Sequence, residues 1–122
     1  MRPSPASLRR TLLLLLVLLF GAAGLARAQA PSAPVLLVVG DSISAGYGLA
    51  KGQVWVDGLA RKLADDGYKY RVVNASISGD TTAGGRARLP ALLTQHKPAI
   101  VIIELGGNDA LRGGKLATSR AN

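Results

Sequence analysis

The sequence predicts an α/β fold, a three-layer α/β/α sandwich built on a parallel sheet, and three observations carry that prediction. The apolar run Val35-Leu36-Leu37-Val38-Val39 ends at Gly40 and has the unbroken hydrophobicity of a strand buried on both faces. A second run, Ile100-Val101-Ile102-Ile103, ends at Gly106-Gly107. Between the two, helical sequence alternates with a shorter strand. The order β-α-β-α-β implies parallel strands joined by right-handed crossovers, with helices on both faces.

The first residues stand apart from this pattern. Arg2, Arg9 and Arg10 form a positive start, Thr11 to Leu25 is apolar and leucine-rich, and Ala26-Arg27-Ala28 places small residues at the cleavage spacing. We expect residues 1–28 to be a signal peptide, cleaved after Ala28 or, by the same pattern, after Ala30. The other reading is a membrane anchor, but Leu12 to Ala26 offers only fifteen residues, against roughly 20 needed to cross a bilayer. The expected destination is therefore the periplasm or the medium, with no stable membrane anchor after cleavage.

Removing 28 residues leaves 94, enough for one small domain but short for a complete domain built on a parallel sheet. The formal charge of +8 belongs mostly to the ends. Arg2, Arg9, Arg10 and Arg27 leave with the leader, and Arg112, Lys115 and Arg120 lie in the tail, so eight basic residues face seven acidic ones in between. A nucleic-acid partner needs a clustered basic face and is not supported. The chain has no cysteine and one histidine, which excludes disulfides, thiol chemistry and Cys/His metal clusters.

Residues 29–34, with two prolines, read as a linker. After the first strand, Trp55, Leu59 and Leu63 recur every four residues from Val54 to Asp66, the pattern of an amphipathic helix closed by Gly67. Tyr70-Arg71-Val72-Val73 is the second strand. Helical sequence resumes near Ala83, is weakened by Gly84 and Gly85, and restarts at Pro90 as a first-turn proline. Ala99 to Leu105 is the third strand.

Sites in open parallel sheets form at the carboxyl ends of the strands. Three glycine-rich polar junctions fall there: Gly40-Asp41-Ser42, Ser76-Ile77-Ser78-Gly79-Asp80 and Gly106-Gly107-Asn108-Asp109. Ser42 leaves a buried strand at a turn and begins a helical turn, which is either a nucleophile's position or that of an ordinary N-cap serine. Gly79 presents an unobstructed N–H, or is a plain turn glycine. Asn108 carries an amide that could donate to an oxyanion, although Asn-Asp after Gly-Gly is also common turn chemistry. Together the three gain specificity, because acyl transfer needs a nucleophile plus convergent donors about 2.7–3.1 Å from the developing oxyanion.

Gly40-Asp41-Ser42-Ile43-Ser44-Ala45-Gly46-Tyr47-Gly48, Asn74 to Thr82 and Glu104-Leu105-Gly106-Gly107-Asn108-Asp109 resemble the first three blocks of the SGNH (GDSL) hydrolases. The nearest likeness is to the bacterial periplasmic group of multifunctional acyl-CoA thioesterase I, lysophospholipase and arylesterase enzymes. Arg88-Leu89-Pro90-Ala91-Leu92-Leu93 and Leu111-Arg112-Gly113 also match that group. The resemblance implies a flavodoxin-like fold and hydrolysis of carboxylic esters or acyl thioesters. It implies Ser42 as nucleophile and Ser42, Gly79 and Asn108 as the oxyanion hole, with small acyl substrates and no metal or organic cofactor; we separately expect a monomer. Asp41, Asp80 and Asp109 are not catalytic in this comparison and read as acceptors for nearby N–H groups. The elbow G-x-S-x-G is not present, since position 44 is serine.

The family's fourth block, Asp-x-x-His, has no counterpart here. The only histidine is His96, preceded three residues earlier by Leu93. It lies on the run into the third strand, at the amino ends of the sheet, and a strand of five or six residues spans roughly 17–20 Å where a base needs a reach of about 3 Å. We therefore expect residues 35–113 to be the N-terminal half of such a domain, truncated after the third strand and followed by an unmatched tail at 114–122. On this reading the 122-residue chain is inactive as it stands, with an exposed strand edge and poor stability. A reading from another class is a noncatalytic acyl- or glycan-binding protein that keeps the crevice without the base. Nucleotide binding is disfavoured, since Gly40 to Gly48 fits neither G-x-G-x-x-G nor the P-loop spacing.

Overall fold

The computed structural model describes residues 32–122. The leader expected over residues 1–28 lies outside the described residues, as do residues 29–31 of the expected linker, while residues 32–34 have no regular structure. The first strand, β1 (Val35–Gly40), is buried at all six positions. Its continuous apolar sequence is explained by its place: β1 is the middle strand of a parallel sheet of order β2-β1-β3, with β2 at Arg71–Asn74 and β3 at Ile100–Glu104. Val35 pairs with Arg71 on one side, and Leu36 pairs with Ile100 on the other.

Alternation along β1 sends Leu36 and Val38 to one face, where they pack with Val54 and Val56, joined by the partly buried Leu59, Leu63, Tyr70, Val72 and Ile102. That face is covered by helix α2 (Trp55–Asp65), which follows the single-turn helix α1 (Ser42–Ala45). The buried stripe of α2 is Val56, Leu59 and Leu63, not the predicted Trp55, Leu59 and Leu63; Trp55 lies one residue off the stripe and stays 38% exposed. Val39 faces the other side, towards Gly85 and Leu89 of helix α3 (Thr82–His96).

Helix α3 is one continuous helix, so the expected break and restart at Pro90 do not occur. The two glycines that suggested weakness are contact points. A Cβ on Gly84 would stand 1.9 Å from Asp80 Oδ1, and one on Gly85 would stand 2.3 Å from Leu105 Cδ1. The helix therefore approaches the turn after β2 and the end of β3 more closely than any other residue would permit.

Two short helices complete the fold, α4 (Gly107–Leu111) and α5 (Leu116–Ala121). The tail at 114–122, which has no apolar periodicity, forms α5 because polar contacts hold its far end: Ser119 Oγ donates to Asp109 at 3.3 Å, and the Asn122 amide donates to Thr82 Oγ1 at 3.0 Å. Among the described residues β3 has a strand on one side only, and Ile103 is 59% exposed.

Candidate active site

The three junctions at the carboxyl ends of β1, β2 and β3 lie together, and hydrogen bonds name the contacts. After β1, the Asp41 carboxylate accepts from the Ile43 N–H at 3.0 Å and caps α1. Asp41 is thus the N-cap, and Ser42 occupies the first helical position rather than the cap. No intrahelical acceptor exists for an N–H there, and among the described residues neither the Ser42 N–H nor its hydroxyl has a protein partner. Gly46, with φ +80°, ends the turn, and its N–H returns to the Ser42 carbonyl.

A buried frame holds α1 from behind. Ser44 is fully buried; its hydroxyl donates to Glu104 Oε2 at 2.8 Å and accepts from Trp55 Nε1 at 3.0 Å. Its carbonyl accepts from the Asn74 amide at 2.6 Å. Residues from β2, β3 and α2 therefore fix the turn that carries Ser42. Gly40 must be glycine, since a Cβ would stand 2.7 Å from Ser44 Oγ. The sequence does not disclose this frame: Trp55 reads as a core residue, and Glu104 reads as part of the third strand and of the third resembling block, with no contact to Ser44 indicated. A second serine two positions after the nucleophile candidate is the signal that the sequence offers.

The second turn is tied to the first by the Ile77 N–H, which donates to the Gly40 carbonyl at 2.9 Å. It closes with the Asp80 N–H donating to the Ile77 carbonyl at 3.1 Å, and Gly79 takes φ +83°, a conformation that favours glycine. Among the described residues the Gly79 N–H has no acceptor. Asp80 accepts from the Thr81 N–H at 2.9 Å and from Arg88 Nε at 2.7 Å.

The third turn closes the arrangement. Asn108 Nδ2 donates to Asp41 Oδ2 at 3.2 Å and to the Asp80 carbonyl at 2.9 Å. One amide therefore touches the neighbour of Ser42 and the neighbour of Gly79. Asp109 accepts from the Thr82 N–H at 2.9 Å and the Thr82 hydroxyl at 2.6 Å, linking this turn to the start of α3. These hydrogen bonds, first the Thr82 hydroxyl and then the Thr82 N–H, hold the Asp109 carboxyl below its ordinary 3.8. All three aspartates accept from neighbouring N–H groups, as expected from the sequence.

Ser42, Gly79 and Asn108 are thus brought together, while His96 is not among them. It is the last residue of α3 and leads into the amino end of β3, whereas Ser42 follows the carboxyl end of the parallel β1. Cavities of about 170 and 300 Å³ open beside Thr82 and Leu105, and neither is lined by Ser42, Gly79 or Asn108.

The sequence profile of the GDSL-like lipase/acylhydrolase family matches residues 38–122. The chain belongs to that family. The match to the GDSL-like lipase/acylhydrolase family includes residues 114–122, beyond the motifs that carry the sequence resemblance. The chain is 69% identical over 85 residues to an esterase, TesA, of Pseudomonas aeruginosa, covering 70% of this chain and 42% of that protein. It is 54% identical over 85 residues to thioesterase 1/protease 1/lysophospholipase L1 of Escherichia coli K12, covering 70% and 39%. Among solved structures, AlinE4, an SGNH-hydrolase family esterase, superposes with a TM-score of 0.70 at 42% identity, covering 76% of this chain and 50% of that one. The matched stretch thus spans about two fifths of the length of these curated relatives. The α/β fold, with its parallel sheet and flanking helices, is the fold of SGNH hydrolases.

Proposed function

We propose that this chain carries the nucleophile and oxyanion hole of a serine hydrolase acting on carboxylic esters or acyl thioesters. Ser42 Oγ attacks the acyl carbon, its proton passes to a base, and the carbonyl oxygen becomes an oxyanion facing the N–H groups of Ser42 and Gly79 and the Asn108 amide. The bond to the alcohol or thiol then breaks, and water releases the acyl group from Ser42. The observation that carries this reading is the Asn108 amide, bonded at once to Asp41 and Asp80, the immediate neighbours of Ser42 and Gly79. The names of the relatives, esterase and thioesterase/lysophospholipase, support the substrate class.

The base is not supplied by these residues. His96 is the only histidine and sits at the opposite end of the strands. Loss of a base costs on the order of a millionfold in turnover, so the 122-residue chain by itself has no useful esterase activity in this account. On the same reading the protein is exported after removal of residues 1–28 and is a monomer whose crevice is shaped for small acyl substrates.

The test is a graft in which the 85 residues of this chain that align with the Pseudomonas aeruginosa relative replace their counterpart there, and the relative's remaining length then completes the domain. The graft is expected to hydrolyse a p-nitrophenyl ester and to lose that activity on Ser42→Ala. Turnover that survives Ser42→Ala would refute the assignment.

A further inference from the structure

Arg88 belongs to none of the three turns, yet its guanidinium reaches two of them and the residue that follows β2. Nε donates to Asp80 Oδ2 at 2.7 Å, Nη1 donates to the Ala75 carbonyl, and Nη2 donates to the Gly40 carbonyl at 3.4 Å. Gly40 lies two residues before Ser42, Ala75 follows the last residue of β2, and Asp80 follows Gly79. One planar group on α3 therefore spans the exit of β1, the exit of β2 and the far side of the Gly79 turn. The Arg88 and Asp80 side chains are only 21% and 11% exposed, so this is not a solvated surface pair.

An oxyanion hole built from two turns works only if their N–H groups keep a fixed separation. Among the described residues the backbone tie between those turns is the single Ile77 N–H bond to the Gly40 carbonyl, and Arg88 Nη2 donates to that same carbonyl. A lysine could replace the charge beside Asp80 but not the fork, since an ammonium is a point donor on a flexible stem. Gly84 belongs to the same device, because only glycine lets Asp80 lie against α3 within reach of Arg88.

We propose that Arg88 is a positioning residue that sets the spacing between the Ser42 and Gly79 backbone N–H groups. The inference rests on the reading of those two groups as oxyanion donors. It predicts that Arg88 governs the reactivity of Ser42 through geometry, independently of charge and fold.

The test uses the full chain and a small alkyl phosphonofluoridate at about pH 9.5, where hydroxide stands in for the missing base. Hydroxide takes the Ser42 Oγ proton and becomes water, the Oγ–P bond forms, the P–F bond breaks, and fluoride leaves. Labelling is followed by peptide mass spectrometry, with the exposed Ser78 as internal reference. Wild type is expected to label Ser42 well above Ser78. Arg88→Lys is expected to slow Ser42 by ~10- to 100-fold, the scale of an ångström-sized misplacement, with an unchanged Ser78 rate and a melting temperature close to wild type. Arg88→Met is expected to slow Ser42 similarly while also lowering the melting temperature. Equal Ser42 rates in wild type and Arg88→Lys, both above Ser78, would overturn the role of Arg88 alone. A Ser42 no faster than Ser78 in wild type would overturn this proposal together with the proposed function.

Discussion

Replacing Gly84 by alanine sets two effects of opposite sign against each other, and the structure decides which prevails. In an ordinary helix interior the change would stabilise by about 1 kcal/mol. In α3 the new Cβ would stand 1.9 Å from Asp80 Oδ1, an overlap relieved only if the carboxylate turns away. Aspartate has two side-chain torsions, and both oxygens are held, Oδ1 by the Thr81 N–H at 2.9 Å and Oδ2 by Arg88 Nε at 2.7 Å. Hydrogen bonds to charged groups contribute roughly 1.5–3 kcal/mol. Because Arg88 keeps about a fifth of its side chain in solvent, the lower end of that range applies to each. Losing both, about 3 kcal/mol together, outweighs the helical gain and leaves a net destabilisation of about 2 kcal/mol. For a domain of this size that lowers the melting temperature by roughly 8–16 °C. Thermal unfolding followed by circular dichroism measures it, and an Asp80→Ala background supplies the control: with the carboxylate gone, Gly84→Ala should stabilise by up to about 1 kcal/mol. A Gly84→Ala chain that melts higher than wild type while Asp80 is present would refute the reasoning.

Two further outcomes follow from the same frame. Ser44→Ala removes the 2.8 Å bond to Glu104 and the 3.0 Å bond from Trp55, and urea denaturation should show a loss of roughly 1.5–3 kcal/mol; a change within about 0.5 kcal/mol would show that the frame is not structural. Asp109, whose carboxyl is held below 3.8 in the folded chain, contributes stability that is fully present above that value and is lost as pH falls through the lower folded value. Asp109→Asn should therefore be less stable than wild type near neutrality, with the gap closing on acidification below 3.8; a gap that stays constant down to pH ~2 would contradict the assignment.

Much of the fold was legible because hydrophobic runs state burial directly. Val35 to Val39 could be only a strand covered on both sides, and its neighbours followed from parallel connectivity. The three aspartates were legible as N–H acceptors because the carboxylates sit beside turns. What the sequence hid were contacts whose meaning depends on a distant partner. Gly84 and Gly85 read as helix weakeners, since a glycine that permits close approach looks the same in sequence as one that merely loosens. Trp55 fitted an apolar period by size, but its indole N–H is bound to Ser44, a polar demand that periodicity does not register. Arg88 stood within a recognised block without any hint that two backbone carbonyls and the Asp80 carboxylate converge on it. The helix at Leu116–Ala121 was missed because its stability comes from Ser119 and Asn122 bonding to Asp109 and Thr82 rather than from an apolar stripe.

The central claim is that Ser42, Gly79 and Asn108 surround one reacting carbonyl, and a crystal structure of the phosphonylated graft tests it most directly. The account predicts phosphorus bonded to Ser42 Oγ, with the phosphonyl oxygen about 2.7–3.1 Å from the N–H groups of Ser42 and Gly79 and the Asn108 amide turned from Asp41 towards that oxygen. A phosphonyl oxygen pointing to solvent, or an adduct on a different serine, would contradict it.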